Sequence, residues 1–183
     1  MRAHPLVSLM WFAAVVVAAA GCGGSEPAPE SSTASSSGSS SGVSQKALTD
    51  LDACSLLTAG EIEAATGHAP GSGSDPVKSV SGAAPICAWP SKDGAEHQVA
   101  QLLISWASAR SLDEYREVMA KEGVTSIRQV DGPGRFTVLL EEMNMVQAFG
   151  DRFMVQTMVA TKDGKDPVAA ATALARAAME RLE

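Results

Sequence analysis

The stretch from residue 23 to residue 46 has nothing with which to build a core. Ten Ser, four Gly and two Pro occupy 24 positions. Burial cannot offset the ordering entropy of such a segment. It is predicted to be a flexible tether, with an r.m.s. reach of roughly 27 Å for a chain of this composition. Any fold must therefore lie beyond it, in residues 47–183, and whatever precedes it must serve another purpose. Gly38-Ser39-Ser40-Ser41-Gly42 matches a G-x-S-x-G nucleophile elbow in form, but no strand or helix can flank it in this tract.

Residues 1–22 have the pattern of an address. Arg2 supplies a positive start, and Leu6 to Ala20 is apolar except for Ser8. The run is shorter than the ~20 residues that span a bilayer, so it reads as a signal peptide over residues 1–21. Two cleavage readings are open. Ala18-Ala19-Ala20 suits ordinary secretory cleavage, whereas Ala19-Ala20-Gly21-Cys22 fits a bacterial lipobox, in which Cys22 is acylated and becomes the mature N-terminus. The position three before the Cys is Ala19 rather than the usual Leu.

Composition narrows the work of the remaining chain. Fourteen Lys+Arg against 21 Asp+Glu give a net charge of -7, and aromatic residues make up 4%. A nucleic-acid partner is not expected, since it needs a basic face that replaces counterions. Three Cys and three His do not make a zinc framework, and no pattern calls for a cofactor. His68 and His97 fall in turn-like contexts and read as exposed. Glu141-Glu142 reads as neighbours on a strand, which point to opposite faces and share no substrate atom.

Helix and strand signals alternate through residues 47–183. Thr58-Ala59-Gly60-Glu61 is a capping box opening a helix that Gly67 stops. Ser111-Leu112-Asp113-Glu114 opens a second, ending near Gly123, with Leu112, Tyr115, Val118 and Met119 as its apolar stripe. Asp166-Pro167 opens a third, with Val168, Ala171, Ala175, Ala178 and Leu182 along one side. Period-2 patterns mark strands at Val99–Trp106 and Phe136–Glu142; Ile86–Trp89 reads as a short strand that Pro90 stops, and Asn144–Phe149 and Arg152–Ala160 flank Gly150-Asp151 as a hairpin. The expected fold is α+β: one antiparallel sheet of about five to six strands packed with three helices, in the order α-β-β-α-β-β-β-α.

If lipidation uses Cys22, Cys54 and Cys87 remain in an oxidising compartment and are expected to pair. Closing a loop of about 34 residues contributes roughly 3.8 kcal/mol by loop-closure entropy.

Cys54-Ser55-Leu56-Leu57-Thr58 at a helix start, Gly67 at its end and Cys87-Ala88-Trp89 on a strand resemble an actinobacterial lipoprotein family of unknown function. The tethered lipobox and the Asp131-Gly132-Pro133-Gly134 turn are similar too, and the likeness spans roughly residues 47–182. It implies a lipid-anchored, extracytoplasmic α+β domain with some similarity to PsbP-like folds. Cys22 carries over as the lipidation site, and Cys54 with Cys87 as the bridge. No catalytic residues come with it.

One surface stands out. A two-residue Gly-first loop at Gly150-Asp151 would turn a hairpin and place Met143, Met145, Met154 and Met158 on one face. Methionine adapts to varied partners and recurs at promiscuous surfaces, although a helix covering this face is the plainer arrangement. The functional expectation is a non-catalytic, membrane-anchored binding domain, its partner an envelope protein or an apolar ligand. A hydrolase with an unrecognised site and a structural envelope component are the alternatives.

Overall fold

A helix start leaves N–H groups that a side chain must satisfy, and each main helix begins where one can. The computed structural model describes residues 48–77, 83–93 and 97–182; the leader, Cys22 and the Ser/Gly tract lie outside them. After a 3-10 turn at Ala53–Leu56, helix α1 spans Ala59–Thr66. Its capping box closes fully: Thr58 Oγ1 accepts from Glu61 N, and Glu61 Oε2 accepts from Thr58 N at 2.8 Å. Helix α2, Leu112–Lys121, is capped by Ser111, but Glu114 reaches one residue further back and accepts from Arg110 N at 2.7 Å. Helix α3, Pro167–Leu182, starts with Asp166 Oδ1 accepting from Val168 N.

Six strands form one antiparallel sheet: β1 Ile86–Pro90, β2 Gln98–Trp106, β3 Ile127–Val130, β4 Phe136–Leu140, β5 Met145–Phe149 and β6 Phe153–Val159. Their spatial order is β1-β2-β6-β5-β4-β3. The α+β class and the element order agree with the sequence reading. The added detail is β3, which carries no clean alternation of its own.

The two faces are covered unequally. Side chains directly opposite across an antiparallel pair share a face, so the register assigns them. One face carries Cys87, Leu102, Ile104, Val155, Thr157, Val146 and Leu139. The 3-10 turn, α1 and α3 close over it, and Leu174, Ala175 and Ala178 complete the core. Thr157 Oγ1 donates to the Ala171 carbonyl at 2.9 Å, which satisfies a fully buried hydroxyl. Among the described residues the opposite face is covered only in part, by α2.

Two corrections concern the hairpin of β5 and β6. The turn is not Gly150-Asp151. Gly150 N donates to Phe153 O at 2.9 Å, which leaves Asp151-Arg152 as the loop, and Gly150 does not take the positive φ that a Gly-first loop uses. The turn moves by one residue, so the register moves by two: Phe149 faces Met154, and Met145 faces Met158. An even shift leaves every side chain on its expected face. Second, Met143 is not on the strand. Glu141–Met143 form a 3-10 turn that Asn144 ends in the left-handed conformation, φ 48°. That turn also takes Glu141 and Glu142 off β4. Glu141 pairs with Arg128 at 2.9 Å, and Glu142 accepts from Ser126 Oγ at 3.0 Å.

Candidate binding face

The candidate site grows from the face that α2 leaves partly open. α2 sits over the β4–β5 side of it. Tyr115 is its buried residue and packs on Phe149, with ring centroids 4.9 Å apart; Phe149 in turn stacks on Phe136 at 4.4 Å. The Tyr115 hydroxyl donates to Gln147 Oε1 at 2.5 Å, and Gln147 Nε2 donates to Gln156 Oε1 at 2.9 Å. A buried glutamine is thus satisfied at both ends by a chain that runs from the covered half of the face to the open half. Burial pushes the Tyr115 phenol up to about 12, because the low-dielectric setting disfavours phenolate.

Beyond Gln156 lies the open half. Ile86 on β1, Leu103 and Gln101 on β2, and Met154, Gln156 and Met158 on β6 are all half-buried. Leu103 faces Gln156, and Gln101 faces Met158 across the strand pair. Gln156 Nε2 has no hydrogen-bond partner among the described residues. The result is a shallow floor of soft apolar side chains with amide groups between them. At its end lies a depression of about 240 Å³, where Met143 and Met158 come together beside Gln98 and Gln101.

The four methionines singled out from sequence are therefore divided. Met158 lies in the open half, and Met154 stands at its border, half-buried against the Tyr115–Phe149 cluster. Met145 shares their face but is 8% exposed and belongs to the covered half. Met143 reaches the site from the 3-10 turn rather than from the strand. Tyr115 belongs to the apolar stripe expected for this helix, whereas Gln147, which its hydroxyl holds, carried no motif that would mark it.

The cysteine pair is joined. Cys54 on the 3-10 turn and Cys87 on β1 form a disulfide, with Cα atoms 5.0 Å apart. Gly73 lies against the bridge: a Cβ there would stand 2.8 Å from Cys87 Sγ and 2.5 Å from Trp89 Nε1. Gly71-Ser72-Gly73-Ser74 thus covers the outer edge of β1, with Ser74 and Ala88 exchanging backbone hydrogen bonds at 2.9 Å.

Arg135 emerges only from the structure. Its guanidinium donates to the carbonyls of Gly150, Ala109 and Arg110, at 2.9 to 3.1 Å, and stands 3.6 Å from Asp151. It fastens the loop before α2 to the tip of the β5–β6 hairpin. Gly134 allows that approach: it takes φ 78°, and a Cβ there would strike the Phe149 carbonyl.

Among the described residues no group of three or more His, Cys, Asp or Glu could hold a metal ion, and no helix is long and apolar enough to cross a membrane. Strong pKa shifts fall on Tyr115 and on the Glu61–Arg181 pair, 2.6 Å apart, which ties α1 to α3. Neither lies in the open half of the face. No curated protein and no solved structure matches the chain. A family profile described as "Protein of unknown function (DUF3558)" matches residues 17–181, so the chain belongs to that family.

Proposed function

We propose that this protein is a lipoprotein anchored through Cys22 to the outer face of an actinobacterial cell membrane, where its domain binds an envelope protein or an apolar ligand without catalysing a reaction. The observation that carries the anchor is an odd cysteine. Cys54 and Cys87 are used by the bridge, which leaves Cys22 alone, directly after Ala19-Ala20-Gly21 and a short apolar run. The Ser/Gly tract then holds the domain clear of the lipid headgroups.

Mass spectrometry of the mature N-terminus tests the anchor. An acylated Cys22 is expected, and Cys22→Ala should release the protein to the medium or leave it uncleaved. An unmodified N-terminus at Gly21 would mean ordinary secretory cleavage after Ala20, and the lipoprotein reading would fall.

The binding role rests on the half-open floor. Its methionines can repack against partners of varied shape, and the amides between them offer hydrogen bonds that fix orientation. Met154→Glu combined with Met158→Glu places two charges on that floor. Thermal stability should fall far less than for a charge at a fully buried position, because both side chains are half-buried, while capture of the envelope partner or of a fatty-acyl probe should be lost. Met145→Glu puts a charge into the covered half and is expected to destabilise the fold. If the double variant unfolds as readily as Met145→Glu, the floor is core and the binding reading fails.

A further inference from the structure

The two edges of the sheet are not alike. The outer edge of β1 is occupied by residues 70–74: Gly71 N donates to Pro90 O, and Ser74 and Ala88 bond in both directions. Among the described residues the outer edge of β3 has no such cover. Glu141 N donates to Ser126 O at the end of the β3–β4 ladder. Hydrogen-bonded and non-hydrogen-bonded positions alternate along an antiparallel pair, so Arg128 and Val130 direct their backbone groups to β4. Gln129, opposite Val138, directs its N–H and C=O outward, where they have no partner among the described residues.

Beside this edge is an open cleft of about 560 Å³. Arg128, Val130 and Asp131 form one wall, and Val168, Ala169 and Thr172 of α3 form the other. We propose that this edge and cleft bind an extended peptide of a partner protein, added to the sheet as a seventh strand antiparallel to β3. The backbone of Gln129 would supply the first pair of ladder hydrogen bonds. Peptide residues opposite Arg128 and Val130 would point into the cleft, since facing residues share a side of the sheet. A small or β-branched side chain opposite Val130 would meet Val168 and Ala169. Arg128 is paired with Glu141, and Asp131 and Asp166 stand with Arg176 around the cleft, so a peptide of low net charge, neutral to weakly basic, fits best. A lone strand suits this geometry better than a second copy of the chain, which would bring its own α3 to the cleft. Strand addition to an exposed edge flanked by a side-chain cleft is an established recognition mode. This surface is separate from the methionine floor and does not depend on it.

The test is selection of a displayed library of random seven-residue linear peptides on the full chain carrying Cys22→Ala. Selected peptides are expected to slow amide exchange of Gln129. They should lose roughly tenfold or more in affinity with Gln129→Pro, which removes the outward donor at a position where an edge strand tolerates proline. Ala169→Trp, an exposed helix position from which the ring fills the cleft while the β3 sequence is unchanged, should have the same effect and decides the matter if Gln129→Pro fails to fold. Failure to select any binder, or binding that survives Ala169→Trp, would overturn the proposal. So would peptides displaced by Met154→Glu with Met158→Glu, or Gln129 protection in a peptide-free dimer, which would assign the edge to a second copy.

Discussion

Several local interactions converge on Glu61. It closes the capping box of α1 and accepts from Arg181 Nη2 at 2.6 Å, while Arg181 Nη1 donates to the Leu56 carbonyl at 2.7 Å. The Arg181 guanidinium, foremost, holds the Glu61 carboxyl down at about 2 against an ordinary 4.5, outweighing the opposing effect of burial. A carboxyl whose folded pKa is depressed binds fewer protons than it does unfolded, so its stabilising effect is complete above pH 4.5 and is lost as pH falls towards 2. Glu61→Gln keeps an acceptor for the cap and removes the charge. Urea midpoints measured across that window should fall less steeply with acid for Glu61→Gln than for the parent; parallel curves would show that the pair does not carry the acid response. Tyr115 works in the opposite range. Its phenol is raised to about 12 from 10.0, so the fold binds the proton more tightly than the unfolded chain does, and stability declines as pH rises between those values.

At the level of elements, the bridge is the clearest case of a strand fixed from outside the sheet. β1 is an edge strand of five residues, and it gains its hold from three sides: the β2 ladder, the Cys54–Cys87 bridge, and the 70–74 segment that Gly73 lets lie against the bridge. Replacing both Cys54 and Cys87 with Ala should cost roughly 2–4 kcal/mol by chemical denaturation, with β1 amides losing exchange protection first. Equal loss of protection across all six strands would mean that the bridge stabilises the whole fold rather than this edge. These elements were legible in different degrees. Both Thr58 and Ser111 caps, the Pro167 start and the β2 alternation could be read because each is a local rule written in neighbouring residues. The β5–β6 turn could not be placed to the residue, since Gly150 beside Asp151-Arg152 permits either of two loops and the ladder chooses between them. Phe136–Leu140 is buried throughout because both faces of β4 are covered, so alternation there does not report a solvent face. Gly73, Arg135 and Gln147 were illegible because their partners are distant in sequence or, for Gly73, lie on a strand that only the fold brings alongside.

For the molecule as a whole, the unequal covering of the sheet sets an order of local stability. α3 has six buried residues: Leu174, Ala175, Ala178 and Met179 join the main core, Ala171 packs with Leu139 and Val146, and Ala170 is buried beside them in sequence. α2 buries Tyr115 alone, and its Val118 is half exposed. Fully burying one large side chain contributes about 1.5–3 kcal/mol, so α2 is held by far less apolar contact than α3, together with the Tyr115–Gln147 hydrogen bond. Segments with few buried contacts open locally at lower free energy than the global transition. Native-state hydrogen exchange should therefore show α2 amides opening well before those of α3 and the central strands β2 and β6. Tyr115→Phe removes the hydroxyl donor and leaves Gln147 Oε1 buried without its partner, which should lower the opening free energy of α2 by about 1–3 kcal/mol and leave α3 nearly unchanged. Release of α2 would leave Gln147 Oε1 without its Tyr115 donor and expose Phe149, on which the Tyr115 ring packs. The covered half of the face would then join the open half as one continuous apolar surface. If α2 and α3 exchange at the same free energy, the two layers unfold as one unit and the floor has a fixed size.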